Sequence, residues 1–412
     1  MEEEEIKSLF LCYNIYGNGA FFMSKVGIIG GGYSGVISAI YASKNNEVTI
    51  LERNNILLKK LLLTGNGRCN YFNSVMTLDK FHSNNKELIE EIITMENIEE
   101  LDNFFIELGL FPKVKNGYYY PYSNQASSVK DLLLSKLKEL NVNIKTEYLV
   151  EKIEKKDNKF IVNNALEFDK IIISTGGKAY PKTGSDGMGY DLLKSFGHTI
   201  TKLSPSLVQI TSDNKFLKEL SGIRSEVNLS LFDKDKKIKE EQGELQFTDY
   251  GISGICTFNL SSYLRDGIDN KYVLVNFMPI DIKSFTLFME GSSNTIFERL
   301  EGILNYKLVK VLLKLSNIKE TDYWKDITSK QKEDLINNLF NYRVNITGTK
   351  SFDQSQVTAG GVVLSEINTK TMESKLVKDL YVTGEVLDLD GECGGYNLTL
   401  CFITGYIAGA NI

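Results

Sequence analysis

The stretch Lys25-Val26-Gly27-Ile28-Ile29-Gly30-Gly31-Gly32-Tyr33-Ser34-Gly35 decides how this 412-residue chain is read. A short run rich in β-branched residues reaches three glycines spaced G-x-G-x-x-G. It then passes straight into Val36-Ile37-Ser38-Ala39-Ile40-Tyr41-Ala42, a small-residue helical pattern. Strand, glycine turn and helix in that order are the setting in which a dinucleotide's pyrophosphate is held. Gly30 permits the tight turn, Gly32 lets the backbone approach the phosphates, and Gly35 lets the helix lie close on the strand. Helix N–H groups and the helix dipole then face the anion. Glu47-Val48-Thr49-Ile50-Leu51-Glu52 follows as a second apolar strand ending in an acid, about 20 residues on, where a ribose hydroxyl is recognised.

Bulk properties narrow the function classes. The length calls for two or three domains rather than one core. A formal net charge of −6 lacks the broad basic footprint of a nucleic-acid binder, so no nucleic-acid partner is expected. No apolar run approaches the roughly 18 residues of a spanning helix, and no membrane partner is expected. The five cysteines, Cys12, Cys69, Cys256, Cys393 and Cys401, are odd in number and lack C-x-x-C spacing. Reduced thiols in a cytoplasmic protein are the expectation, with neither a zinc site nor dithiol chemistry. Residues 1–22, acidic and then apolar, are expected to be a disordered extension before a natural start at Met23.

Working outward, Thr64-Gly65-Asn66-Gly67-Arg68-Cys69-Asn70 is a compact loop in which flexible backbone and forked arginine donors can wrap a phosphate or a planar polar ring. A structural loop held by Arg68 to an acid has the same composition, and Cys69 suits a small buried position. Helical spacing recurs over 84–110 and 127–140. Tyr118-Tyr119-Tyr120-Pro121-Tyr122 reads as an aromatic strand and turn. A strand within 143–153 can reach the adenine end of a nucleotide, with Val150 as the candidate contact. Lys170-Ile171-Ile172-Ile173-Ser174 is a buried parallel strand, and its terminal Thr175-Gly176-Gly177 brings backbone to the carboxyl edge of the sheet. The glycine-rich loop at 178–189 has the wrong spacing for a second dinucleotide motif.

Beyond Ser204-Pro205, short alternating runs at 207–210, 227–232, 243–247 and 272–277 describe an antiparallel insertion. Helical spacing fills 284–342. Glycine motifs then return at Thr358-Ala359-Gly360-Gly361-Val362 and at Thr383-Gly384-Glu385 through Gly394-Gly395-Tyr396-Asn397, which opens a terminal helix. Both ends of the chain thus build one site. The fold class is α/β: a Rossmann-like domain over 23–203 and 350–412, an inserted antiparallel β domain over 204–280 and 343–349, and a small helical subdomain over 281–342.

With the first glycine motif, the Thr64 to Asn70 loop, Thr175 to Pro181, GELQFTDYGISG at 243–254, the Thr358 to Val362 motif and TGEVLDLDGECGGYN at 383–397 all in order, the chain resembles the BaiN/YhiN-type bacterial flavoproteins. The resemblance spans nearly all of 23–412. It implies an FAD-dependent oxidoreductase, usually NAD(P)-linked, with members tied to reduction of carbon–carbon double bonds in steroid-like acids. Where members often carry three glycines before Arg-Cys-Asn, this chain has Gly65-Asn66-Gly67. By position, the resemblance gives Gly30, Gly32, Ser34 and Gly35 to the pyrophosphate and Glu52 to the adenosine ribose. Arg68, Cys69 and Asn70 go to the flavin side, and Thr175 and Gly176 face the nucleotide. Gly384, Glu385 and Asp388 border the ribityl chain or pyrophosphate, while Gly395, Tyr396, Asn397 and Leu398 close on the isoalloxazine. Tyr33, Arg53, Lys60, Thr64, Gly67, Gly177 and Gly394 complete the candidate FAD set.

NAD(P)H is expected as a transient electron donor, because no second G-x-G-x-x-G is present, and a small organic molecule as the substrate. No catalytic residue is assigned. His82 and His198 lie outside every motif and read as core or surface residues, and Cys393 has no assigned role. An FAD-dependent RNA-modifying enzyme and a non-catalytic flavin sensor are the alternative functions.

Overall fold

The computed structural model describes residues 23–412; the expectation for residues 1–22 lies outside them. The opening motif forms strand β1 (Lys25–Ile29), helix α1 (Tyr33–Ala42) and strand β2 (Glu47–Leu51). All four residues from Val26 to Ile29 are buried, as a strand covered on both faces must be. β1 lies at the centre of a five-stranded parallel sheet. The order is Leu380–Val382, Lys170–Ile173, β1, β2, Asn143–Lys145, so one edge strand comes from the far end of the chain.

The two ends are also joined through their helices. A Cβ on Gly405 of the terminal helix Tyr396–Asn411 would stand 2.6 Å from the Ser34 carbonyl oxygen, and one on Gly409 would stand 2.5 Å from that of Ser38. Only glycine lets these two backbones approach so closely.

The stretch from 204 onward changes sheet type, as expected. A seven-stranded antiparallel sheet runs in the order Tyr342–Asn345, Lys271–Asn276, Arg224–Asp233, Lys236–Thr248, Gly251–Ser253, Ile210–Thr211, Gly348–Thr349. Its apolar face shares one hydrophobic core with the helices Ile282–Glu290, Ile296–Glu301, Tyr306–Leu315 and Ser329–Phe340, and Trp324 is buried there. A second core fills the Rossmann-like part. The strand Lys236–Thr248 is far longer than the 243–247 read from sequence.

His198 illustrates a structural use of polar groups. Its Nδ1 lies 3.0 Å from Glu366 Oε2 and its Nε2 2.8 Å from Ser374 Oγ. In outline this is a Ser-His-Glu triad. Ser374 Oγ already accepts from the Leu376 and Val377 N–H groups, and the side chains of His198 and Ser374 are buried. The set braces the Rossmann-like part against the 366–377 loop and has no reacting role.

Candidate active site

A cavity of about 1030 Å³ runs between the Rossmann-like part and the inserted sheet. That is at the upper end of the range of roughly 300–1,000 Å³ for a single small-molecule pocket, as a dinucleotide with a substrate beside it requires.

One wall follows from the opening motif. Gly30 has φ +105°, and a Cβ there would stand 2.6 Å from the Ser174 carbonyl oxygen. Gly35 is closer still to its neighbours: its Cβ would stand 2.1 Å from the Gly30 carbonyl oxygen, so it serves the helix–strand contact and does not line the cavity. Gly32 is different. The nearest protein atom to a Cβ there is 4.0 Å away, so the protein leaves this space open on the cavity side. Gly32 also begins α1 with no side-chain cap, and no acid occupies the first turn, so the N-terminal N–H groups are free for an anion.

Glu52 ends β2 where a ribose would lie. Its Oε2 accepts from the Gly31 N–H at 2.8 Å, and its Oε1 accepts from the Asn54 N–H and Nδ2 at 2.7 and 2.6 Å. The carboxylate is thereby aimed and retains lone pairs for a further donor. Arg53 pairs with Asp186 at 2.6 Å at the outer edge. Thr175 Oγ1, Ser185 Oγ and the Tyr33 hydroxyl are buried without a partner, and all three residues line the cavity. These three atoms have no surface open to the cavity and pack behind its lining, the Tyr33 hydroxyl among Tyr41, Cys69, Tyr71 and Cys401. The open cradle at Gly32 and the uncapped helix fit an FAD.

The Thr64 to Asn70 loop supplies the next segment. Gly65, Asn66 and Gly67 have φ of 55°, 60° and 82°. This explains the chain's departure from three glycines, because asparagine is among the few residues that enter the left-handed region readily. Arg68 Nε donates to the Gly65 carbonyl at 3.0 Å and the guanidinium stacks 5.2 Å from the Tyr120 ring centroid. The loop is therefore pinned by Arg68 to its own backbone and to an aromatic ring, with no acid involved. Cys69 is fully buried, and burial pushes its thiol up to about 12, which suits the packing role over a reactive one.

At the other end of the chain, Gly394 and Gly395 have φ of 129° and 98°. A Cβ on Gly395 would stand 2.6 Å from the Phe72 backbone. This turn starts the terminal helix, again without a side-chain cap, so a second set of free N–H groups begins at the cavity. Lys60 and Glu385 form a 2.6 Å ion pair on the Rossmann side of the cavity.

Of the candidate cofactor residues, Gly30, Gly32, Tyr33, Ser34, Glu52, Arg53, Lys60, Thr64, Arg68, Asn70, Val150, Thr175, Gly176, Glu385, Gly394, Gly395, Asn397 and Leu398 come together on this one cavity. Gly35, Cys69, Gly177, Gly384, Asp388 and Tyr396 stand behind its wall, and Gly67 is exposed on its loop, away from the lining. Gly177 packs on Thr358 and Glu385, and Gly384 on Ser34. Asp388 is buried, accepting from the Asn84 N–H at 3.2 Å, and Tyr396 packs edge-on against Phe81. These positions shape the wall through backbone and packing.

The opposite wall had no residue assigned from sequence. It is formed by Glu241, by Glu244, Gln246 and Gly254 of the GELQFTDYGISG segment and by Ile255 and Asn259 of the helix after it, among others. The motif had signalled this segment without a role. Two ion clusters tie this side to the 390–393 segment. Arg265 Nη2 donates to both carboxyl oxygens of Asp390 at 3.0 Å. Lys239 reaches Glu392 at 2.8 Å, and Lys80 reaches the same carboxylate at 3.1 Å. Asp390 is fully buried, and burial pushes its carboxyl up to about 6 despite Arg265. His82 lies nearby, edge-on to Tyr263, and burial with Arg265 and Lys239 beside it lowers its imidazole to about 3. A histidine held neutral in this way is a core residue. Among the described residues no acid, histidine and cysteine cluster is able to hold a metal, the four cysteines are unpaired, and no helix is long and apolar enough to cross a membrane.

The family model described as HI0933-like protein Rossmann domain matches residues 24–411. The 3-dehydro-bile acid delta(4,6)-reductase of Clostridium scindens is 37% identical over 402 residues, covering 94% of this chain and 98% of that protein. The ribosomal RNA dihydrouridine synthase of Escherichia coli is 26% identical over 377 residues, covering 90% and 93%. Among solved structures, the 3-ketosteroid delta1-dehydrogenase of Sterolibacterium denitrificans aligns over 94% of this chain and 99% of its own, at 11% identity and a TM-score of 0.48.

Proposed function

Because the chain belongs to the HI0933-like Rossmann family, the BaiN/YhiN-type flavoproteins, and is an FAD-dependent oxidoreductase, we propose that it takes hydride from NAD(P)H and saturates a conjugated carbon–carbon double bond in a small organic acceptor. The observation that carries this reading is the single cavity with two unlike walls. Glycine backbone and free helix N–H groups form one wall, and the inserted sheet leaves room for a second molecule opposite.

Bound there, FAD supplies the hydride chemistry. The chain's own residues bind and orient it. The amides at the start of α1 would hold the pyrophosphate over Gly32, and Glu52 would accept from the ribose. The N–H groups at the Gly394-Gly395 start of the terminal helix would be available to the electron-rich edge of the ring and to negative charge on it. The donor has no dinucleotide motif of its own and is read as a transient visitor to the same cleft.

The relatives' names support double-bond reduction from two directions, a bile-acid delta(4,6)-reductase and a dihydrouridine synthase, since dihydrouridine is uridine with its ring double bond saturated. The greater identity to the former and the net charge of −6 favour a small unsaturated ketone over RNA. The test is anaerobic reduction of the holoenzyme by NADH and by NADPH. The reduced enzyme is then exposed in parallel to a 3-oxo-4,6-diene steroid acid and to ribosomal RNA. Reoxidation by the steroid alone is the expected result. Reoxidation by RNA alone would move the function to RNA modification, and a flavin that neither donor reduces would remove the NAD(P)H link.

A further inference from the structure

Saturating a carbon–carbon double bond takes a hydride and a proton, and the reading above accounts only for the hydride. The proton has to come from the cavity wall or from water. Near the Gly394-Gly395 turn the wall holds several groups able to carry one, and most are already engaged. Glu241 accepts from Asn259 Nδ2 at 2.9 Å and lies 3.4 Å from Lys239; Glu244 pairs with Arg224 at 2.8 Å; Tyr120 lies under Arg68. The Cys256 thiol donates to the Glu244 carbonyl at 3.4 Å, whereas Cys393 and Tyr118 have neither an ionic nor a backbone partner for their side chains.

Cys393 immediately precedes the turn and is partly exposed on the cavity, with Sγ 3.7 Å from Gln356 Oε1. Its place is set from both sides of the cleft. Its own N–H donates to Asn259 Oδ1 at 2.9 Å, and the preceding residue, Glu392, is gripped by Lys239 and Lys80. Burial, with Glu392 and Glu241 close by, pushes the thiol's pKa up, so it carries its proton at neutral pH. A thiol in that state is a donor and not a nucleophile. The Tyr118 ring lies against the same turn: a Cβ on Gly394 would stand 2.6 Å from it.

We propose that Cys393 is a catalytic residue that protonates the acceptor. Hydride adds to the carbon remote from the carbonyl, and the displaced π pair settles on the neighbouring carbon. That pair takes the proton as the S–H bond breaks and a C–H bond forms. The thiolate regains a proton from water, so one NAD(P)H and one proton are consumed for each double bond. This rests on the double-bond-reductase reading.

The test compares wild type with Cys393→Ala, Cys393→Ser and Tyr118→Phe holoenzymes by stopped-flow, following reduction by NADPH and reoxidation by the steroid dienone separately. Cys393→Ala is expected to retain its flavin and to slow reoxidation about 100-fold with less than about 3-fold change in reduction, in line with the loss of a general acid. Cys393→Ser, whose hydroxyl still carries a proton, is expected to recover about 10-fold of this. Without any turnover, the dienone is expected to shield Cys393 from N-ethylmaleimide in the oxidised holoenzyme, read by peptide mass spectrometry. Reoxidation of Cys393→Ala within about 3-fold of wild type would overturn the proposal, as would the whole loss falling on Tyr118→Phe. Loss of flavin from both Cys393 variants would also overturn it by making the residue a packing element. A wild-type flavin that the dienone never reoxidises would remove the reading beneath it as well.

Discussion

On the Rossmann side of the cleft the recognition groups are backbone amides held in place by glycines. On the inserted side they are long charged side chains held in place by one another. The first wall is compact: Gly30, Gly32 and Gly35 lie within one turn, Gly35 required by the Gly30 carbonyl, Gly30 by the Ser174 carbonyl one strand over, and Gly32 keeping its space open. Behind the second wall, ion pairs span long sequence distances, with Arg265 and Asp390 separated by 125 residues and Lys239 and Glu392 by 153. A wall of amides suits an invariant ligand such as a dinucleotide. A wall of side chains can change its substrate without disturbing the cofactor.

The comparison is broken most severely at Arg265. Removing its guanidinium by Arg265→Ala leaves the Asp390 carboxyl buried without its partner, a change that costs about 4 kcal/mol in comparable buried pairs. Urea unfolding at pH 7.5 is expected to show a loss of this order, and a loss below about 1 kcal/mol would make the clamp dispensable.

Titration sharpens the same point. The Asp390 carboxyl rises from an ordinary 3.8 to about 6 in the fold. The folded state therefore holds this proton more tightly than the unfolded chain does. The resulting stability is fully present below about pH 4 and is lost as pH rises through about 6, by roughly 3 kcal/mol in all. Asp390→Asn cannot titrate, so the stability of wild type relative to this variant should fall by that amount between pH 4 and 7. A constant gap across that range would contradict the assignment.

The glycine wall is separated from its packing role by Gly32→Val. Because nothing in the protein lies within 4.0 Å of that Cβ, the FAD-free protein should unfold within about 0.5 kcal/mol of wild type. FAD affinity should fall about 100-fold, near 2.7 kcal/mol, as measured by quenching of flavin fluorescence. Equal FAD binding by the variant would place the pyrophosphate elsewhere. The smallest effect belongs to Arg53→Ala at the cleft's outer edge. Its ion pair with Asp186 is about one-third exposed on each side, so stability should change by no more than about 0.5 kcal/mol.

What the sequence made legible follows the same division. The strands around Gly30 and Ile172, the acid at Glu52 and the glycine turn at Gly395 could all be read because each signal lies within a few residues of its structural cause. The inserted wall was seen as a change in alternation, and an antiparallel sheet is present there, yet its chemistry stayed hidden. Lys236-Lys237-Ile238-Lys239-Glu240-Glu241-Gln242 carries charges at successive positions and shows no period-two pattern. It is a strand because it pairs with Arg224–Asp233, whose Val227, Leu229 and Leu231 supply the buried face. Cys393 was noticed without a role for the same reason, since its neighbours Asn259 and Gln356 come from elements far away in the chain.

The most direct test of the central claim is an absorbance spectrum of the purified protein, before and after incubation with FAD and removal of the excess. The account predicts a flavin spectrum at one FAD per chain. Protein that carries no flavin and takes up none would contradict it.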